Sequence, residues 1–212
     1  MADLYEEISN LVITANMEGV KKAVRQALAQ GIPAKDVLDK GLLPGMDVVG
    51  KRFKTGEMFM PEVIFSAKTM HAAMEILKPS LTEGDTHSTG SVIIGTVEGD
   101  LHDIGKNLVA MMMEGAGFKV INLGTNVKAQ TFLNAVKEHK PNILGMSALL
   151  TTTMPKMKET IEVLKEAGLR DQVKVMLGGA PVTQSFVNQV GADGFGMNAG
   201  DAVQQAKKLV AT

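Results

Sequence analysis

The chain has four histidines and no cysteine, so thiolate metal sites, disulfides, iron–sulfur clusters and cysteine nucleophiles are all excluded. What remains for chemistry concentrates in one segment, Val97-Glu98-Gly99-Asp100-Leu101-His102-Asp103-Ile104-Gly105-Lys106-Asn107. His102 has Asp100 two residues before it and Asp103 directly after it. A carboxylate at that distance can hold the proton of one imidazole nitrogen, which turns the other nitrogen towards a metal and makes it more basic. A single histidine does not hold a free metal ion tightly. Further ligands must come from elsewhere, or the metal must arrive already bound in a macrocycle. A plainer reading makes this a polar turn in which Asp100 or Asp103 caps the following helix and His102 is solvated. A phosphate loop fails: five residues separate Gly99 from Gly105 where the motif has four, and Asn107 stands where Ser or Thr would hold magnesium. No G-x-G-x-x-G opens the helix, so a dinucleotide fingerprint fails too. Spacing alone leaves capping and metal ligation both open.

The elements that must position this segment come in two kinds. Up to about residue 80 the apolar positions recur at helical spacing: Leu4, Ile8, Leu11 and Val12, then Val20, Ala23, Val24 and Leu28. Gly31-Ile32-Pro33 breaks the chain ahead of a helix over 34–41. Pro44-Gly45 marks another boundary, ahead of a helix with Met46, Val49 and Phe53. A longer helix starts near Pro61 and runs through Val63, Ala67, Met70 and Leu77. Together these form a small helical bundle over 1–84. Residues 80–90 are polar with two glycines, and 85–90 reads as a linker in which His87 is exposed.

From Ser91 short apolar β-branched runs alternate with helical segments. The pattern predicts strands over 92–97, 119–123, 143–147, 173–177 and 193–196. The helices fall over 106–114, 129–138, 155–167, 183–189 and 200–210. Alternation of this kind predicts an α/β domain over 91–212, a doubly wound parallel sheet of flavodoxin-like (Rossmann-type) order 2-1-3-4-5. His102 then follows the first strand, at the edge where such sheets bind ligands. The fifteen methionines read as core filler.

Asp100-x-His102-x-x-Gly105 resembles the D-x-H-x-x-G motif of corrinoid-binding domains. That motif continues there with S-x-L and G-G, matched here by Ser147-Ala148-Leu149 and Gly178-Gly179, each just after a predicted strand. The helical half is similar to the cap of cobalamin-dependent methionine synthase and of corrinoid proteins from three-component methyltransferase systems. The resemblance implies a corrinoid whose lower cobalt ligand is His102, with Asp100, Asp103 and Gly105 beside it. It implies that Ser147 bonds the buried nucleotide base, that Leu149 lies at the site, and that Gly178 and Gly179 line the slot. Thr153 stands where the family usually has a Ser extending the His–Asp chain. The family's apolar cap residues fall on Phe53, Met60 and Val63.

By the same resemblance the corrinoid cycles between cob(I)alamin and methylcobalamin, and the chain is a methyl carrier more than an enzyme in its own right. One partner, a substrate-specific methyltransferase acting on methylamine, methanol, betaine or an aryl methyl ether, loads the methyl. A second methyltransferase passes it to a tetrahydropterin, such as tetrahydrofolate, or to a thiol, and a reductive activase belongs to the set. A cobalamin-dependent regulator and the corrinoid subunit of an adenosylcobalamin mutase are the alternatives. Net charge is −1 without a basic stripe, which predicts no nucleic-acid partner. No apolar run of 18 residues predicts no membrane span, and the acidic N-terminus predicts a cytoplasmic protein.

Overall fold

The computed structural model describes residues 2–81 and 89–211, which form two compact units. One comprises the described residues up to Leu81 together with Met111–Phe118. The other comprises Thr89–Ala110 and the described residues from Lys119 onward. Residues 85–88 of the expected linker, His87 among them, lie outside the described residues, and Gly90 is already the first residue of a strand.

The first unit is helical: α1 (Ala2–Ile13), α2 (Met17–Ala29), α3 (Ala34–Val37), α4 (Leu43–Thr55) and α5 (Met60–Leu77). Asn16 starts α2 by accepting the Gly19 N–H at 2.9 Å. Glu62 starts α5 by accepting the Phe59 N–H at 2.7 Å, with Pro61 in the first turn where no intrahelical N–H is needed. The boundary expected at Pro44-Gly45 is absent. Instead a π-helical turn, Leu38–Leu42, joins α3 to α4 without leaving the helical region. Pro44 sits in the first turn of α4, so its missing N–H interrupts nothing. Gly45 serves proximity to α1: a Cβ there would stand 2.9 Å from the Ser9 carbonyl oxygen and 3.0 Å from Val12 Cβ. Ile8, Val12, Val20, Val24, Leu38, Leu42, Val49 and Leu77 are buried.

The second unit is a five-stranded sheet of β1 (Gly90–Thr96), β2 (Phe118–Asn122), β3 (Ile143–Ser147), β4 (Lys174–Gly178) and β5 (Gly194–Gly196). Their order is β2-β1-β3-β4-β5. The pairings β1–β3, β3–β4 and β4–β5 are parallel. The helices are α6 (Ile104–Gly115), whose residues from Met111 on count with the first unit, α7 (Ala129–His139), α8 (Pro155–Glu166), α9 (Gln184–Val190) and α10 (Ala199–Val210). Both the order and the alternation follow the pattern expected from the sequence. Differences are confined to element ends, which shift by about two residues, as hydrogen-bonded boundaries commonly do. Thr96, Ser147, Gly178 and Gly196 share one register row at the carboxyl edge. Among the described residues eight methionines, Met146, Met157 and Met176 among them, are buried filler, whereas Met60 and Met197 are exposed.

Phe132 on α7 is fully buried in the apolar cluster with Ile93, Leu144, Ile161 and Val175. Phe132→Ala is therefore expected to lower unfolding stability by about 3–5 kcal/mol, read from urea melts at constant slope; a loss below about 1 kcal/mol would contradict this packing.

Candidate functional site

The β1–α6 loop is organised by a carboxylate with no exposure. Asp100 Oδ1 accepts the His102 N–H at 3.0 Å and faces His102 Nδ1 at 2.7 Å. Its other oxygen, Oδ2, accepts the N–H of Leu149 at 2.8 Å and that of Leu150 at 3.3 Å. The Thr153 hydroxyl lies 2.9 Å from Oδ2 and 2.8 Å from the Leu150 carbonyl, one proton between two acceptors. The order β1-β3 makes this possible, because adjacent parallel strands place the loops after Thr96 and after Ser147 side by side.

Burial by itself pushes the Asp100 carboxyl up. The donated bonds from the His102 and Leu149 backbones, the His102 ring and Thr153 outweigh it and hold the group well below the usual carboxylate range. An ionised Asp100 fixes the proton of His102 on Nδ1 and leaves a lone pair on Nε2. The ring is not buried with its partner: the His102 side chain is 52 % exposed, Asp100 0 %. Asp100 thus orients the ring rather than capping the following helix.

Asp103 takes the Asn107 side-chain N–H at 2.9 Å on Oδ2, and its carbonyl takes the Asn107 backbone N–H at 2.7 Å. Gly105 opens α6 with nothing within 4 Å of where a Cβ would stand. Ser147 ends β3. Its carbonyl accepts the Val97 N–H at 3.0 Å, and its hydroxyl takes no hydrogen bond among the described residues. Gly178 faces Ser147 across the register, with ordinary space for a Cβ, 3.6 Å from the Gly196 oxygen. Gly179 is held by the fold itself: at φ +120° a Cβ would run into the Ala148 carbonyl. The structure brings Asp100, His102, Leu149 and Thr153 together by direct bonds. Phe53, Met60 and Val63 belong to the helical unit; Phe53 is half-buried, Met60 is 39 % exposed and Val63 has no exposed surface.

Several residues escaped the sequence reading. Thr96, fully buried, donates its hydroxyl to the His102 carbonyl at 3.0 Å. Asn126, at φ 54°, accepts the Gly99 N–H at 2.8 Å and donates its own N–H to the Asp100 carbonyl at 3.0 Å. A polar residue in the left-handed region after β2 is the one local signal for Asn126. Leu101, Ile104, Leu149, Leu150 and Met197 are exposed at 72, 70, 43, 41 and 78 % on the loops and helix start of this carboxyl edge. Of the other histidines, His71 bonds Glu114 at 2.9 Å, which raises its pKa, and His139 lies exposed beside Glu138. Among the described residues no three His, Asp or Glu side chains form a metal cage. No helix among them is long and apolar enough to cross a membrane.

The depressed Asp100 carboxyl has a consequence for acid stability. Unfolded, it titrates near its ordinary value of 3.8; folded, it titrates lower. Its contribution is complete above the unfolded value and is lost as pH falls through the folded one. From about pH 5 to about pH 3 the urea midpoint of the wild type is expected to fall more steeply than that of Asp100→Asn; parallel curves would contradict the assignment.

Known families match both halves of the chain: a B12 binding domain over residues 90–205 and a second B12 binding domain family over residues 4–78. The chain is 46 % identical over 210 residues to trimethylamine corrinoid protein 1 of Methanosarcina acetivorans, covering 98 % of this chain and 97 % of that protein. It is 44 % identical over 210 residues to dimethylamine corrinoid protein 1 of the same organism, covering 99 and 98 %. Among solved structures, the methanol:cobalamin methyltransferase complex of Methanosarcina barkeri matches with a TM-score of 0.88 at 33 % identity, over 99 % of this chain and 80 % of that one. With its Asp100–His102 pair at the carboxyl edge of a 2-1-3-4-5 sheet, the chain belongs to the family of B12-binding corrinoid proteins.

Proposed function

We propose that this chain carries a methyl group on a corrinoid cobalt between partner methyltransferases, with His102 Nε2 as the lower cobalt ligand. The observation that carries the reading is the locked ring: Asp100 holds the Nδ1 proton at 2.7 Å while the imidazole remains half exposed. The residues present fit a corrinoid. Leu101, Ile104, Leu149, Leu150 and Met197 offer exposed apolar area on the same edge of the sheet. The unpartnered Ser147 hydroxyl suits a polar atom of the nucleotide tail. Open space beside Gly105 suits close approach. Gly179 supports the slot indirectly, by letting the turn after β4 close on Ala148. Phe53, Met60 and Val63 join this reading through the family resemblance.

When bound, the cobalt supplies a site at which a methyl group is reversibly attached. The chain's own residues then manage charge and protons. Nε2 must carry its lone pair to ligate, and the Asp100 carboxylate on Nδ1–H selects the tautomer in which it does and orients the ring. The Thr153 hydroxyl and the Leu149 and Leu150 amides keep Asp100 ionised throughout.

The relatives' names, dimethylamine and trimethylamine corrinoid proteins, support a partner that takes the methyl from a small methylated amine; the methanol complex supports an alcohol as a second donor class. A second methyltransferase with a pterin or thiol acceptor and a reductive activase complete the reading. A regulator or mutase role draws no support from these names.

The test uses the full chain loaded with cobalamin and reduced to the Co(II) form. Replacing 14N-histidine with 15N-histidine is expected to change the nitrogen splitting of the cobalt electron paramagnetic resonance signal in the wild type, and not in His102→Ala or His102→Gln. Methyl transfer from dimethylamine, trimethylamine and methanol, each with its matching methyltransferase, then identifies the donor. Variants that load corrinoid and turn over methyl at the wild-type rate would sink the assignment.

A further inference from the structure

Among the described residues two charged side chains are buried, and both flank His102 in sequence: Asp100 at 0 % exposure and Lys106 at 4 %. Lysine is almost never this buried unless its charge has partners. Here the partners are neutral. Lys106 Nζ donates to Asn107 Oδ1 at 2.6 Å and to Asn122 Oδ1 at 2.8 Å. Asn122 Nδ2 closes the ring by donating to Asn107 Oδ1 at 3.1 Å, and Asn122 Oδ1 also accepts the Gly124 N–H at 3.0 Å. Burial lowers the Lys106 pKa, partly offset by the negative charge of Asp103. A buried ammonium satisfied by two amide oxygens is a costly way to join β2 to α6, since apolar side chains would do so without desolvating a charge.

What the arrangement adds is orientation. With two donors on its oxygen, the Asn107 amide has no freedom to flip, because reversal would set N–H against N–H. Its nitrogen is therefore aimed at Asp103 Oδ2, 2.9 Å away. The Asn107 backbone N–H meets the Asp103 carbonyl at 2.7 Å. Asp103 is peptide-bonded to His102, whose own carbonyl is held by Thr96. The ring is thus fixed through its Nδ1 by Asp100, while the backbone that follows it is fixed by the Lys106–Asn107–Asp103 chain.

We propose that Lys106 is a positioning residue for His102: by locking the Asn107 amide onto Asp103 it sets the C-terminal flank of the loop, and so where Nε2 stands. This rests on the reading of His102 as the cobalt ligand. A residue that merely held α6 against the sheet would affect melting but not ligation.

The full chain, loaded with cobalamin and reduced to Co(II), is compared as wild type, Lys106→Met, Asn107→Ala, the double variant and the surface control Lys137→Met. The readout is the ratio of histidine-ligated to unligated cobalt, from the 14N/15N splitting. In Lys106→Met and Asn107→Ala this ratio is expected to fall about tenfold, as substitutions behind a metal-bound histidine do. The double variant falls no further than either single one, because both act through one chain of bonds. Lys137→Met stays at the wild-type ratio. A folded Lys106→Met chain with the wild-type ratio overturns the proposal, as do single losses that simply add. Should Lys106→Met not fold, Asn107→Ala decides alone, and an unchanged ratio there overturns it. Should the wild type show no histidine splitting, the functional reading falls. The positioning role is then decided in the unloaded chain: faster amide hydrogen exchange at His102 and Asn107 in Asn107→Ala or Lys106→Met, by tenfold or more, upholds it, and unchanged exchange overturns it.

Discussion

A carboxylate with no solvent exposure has to be satisfied by the protein, and Asp100 is satisfied by donors drawn from two separate loops. Left without them, the charge would cost far more than a single surface interaction returns, so the loops after β1 and β3 cannot vary independently. Leu149 and Leu150 must present their amides, Thr153 must turn its hydroxyl inward, and His102 must fold back over its own carboxylate partner. The sheet order carries that demand into the fold, because only neighbouring parallel strands bring both loops to one place.

The small residues at the strand ends answer the same constraint at shorter range. Gly179 allows the turn after β4 to press against the Ala148 carbonyl, one residue before the amide that Asp100 needs. Ser147 and Gly178 stand opposite each other at the same level, adding little bulk beside that turn. Bulk is supplied elsewhere, by Phe132, Met146, Met157 and Leu177 in the core beneath the sheet edge. The strands are apolar where they are buried and give way to glycine, serine and threonine at the carboxyl edge.

Much of this was legible in the sequence because the governing signals are periodic or local. Helical spacing gave the bundle, β-branched runs gave the strands, and Asp100 lies only two residues from His102. The Pro44-Gly45 boundary misled because the residues that break a helix in isolation also permit a first turn and a close helix contact; which applies depends on Ser9 and Val12 in another helix. Thr96, Asn126 and the Lys106–Asn107–Asn122 ring stayed hidden for a similar reason: each bonds a residue that no periodicity marks, and Asn122 joins through a strand end whose neighbour is fixed by topology. A buried lysine is not visible in a sequence, where lysine signals exposure.

The division of labour at the site follows from where its polarity ends. Three hydrogen-bonding groups around His102 hold the loop: Asp100 on the ring, Thr96 on the carbonyl, Asn107 on Asp103. Five exposed side chains on the same edge, Leu101, Ile104, Leu149, Leu150 and Met197, are apolar hydrocarbon or thioether. Such a surface gains from covering a large flat ligand, since burial of apolar area is non-directional. A chain built this way fixes the orientation of one ring closely and sets apolar area on the same edge beside it.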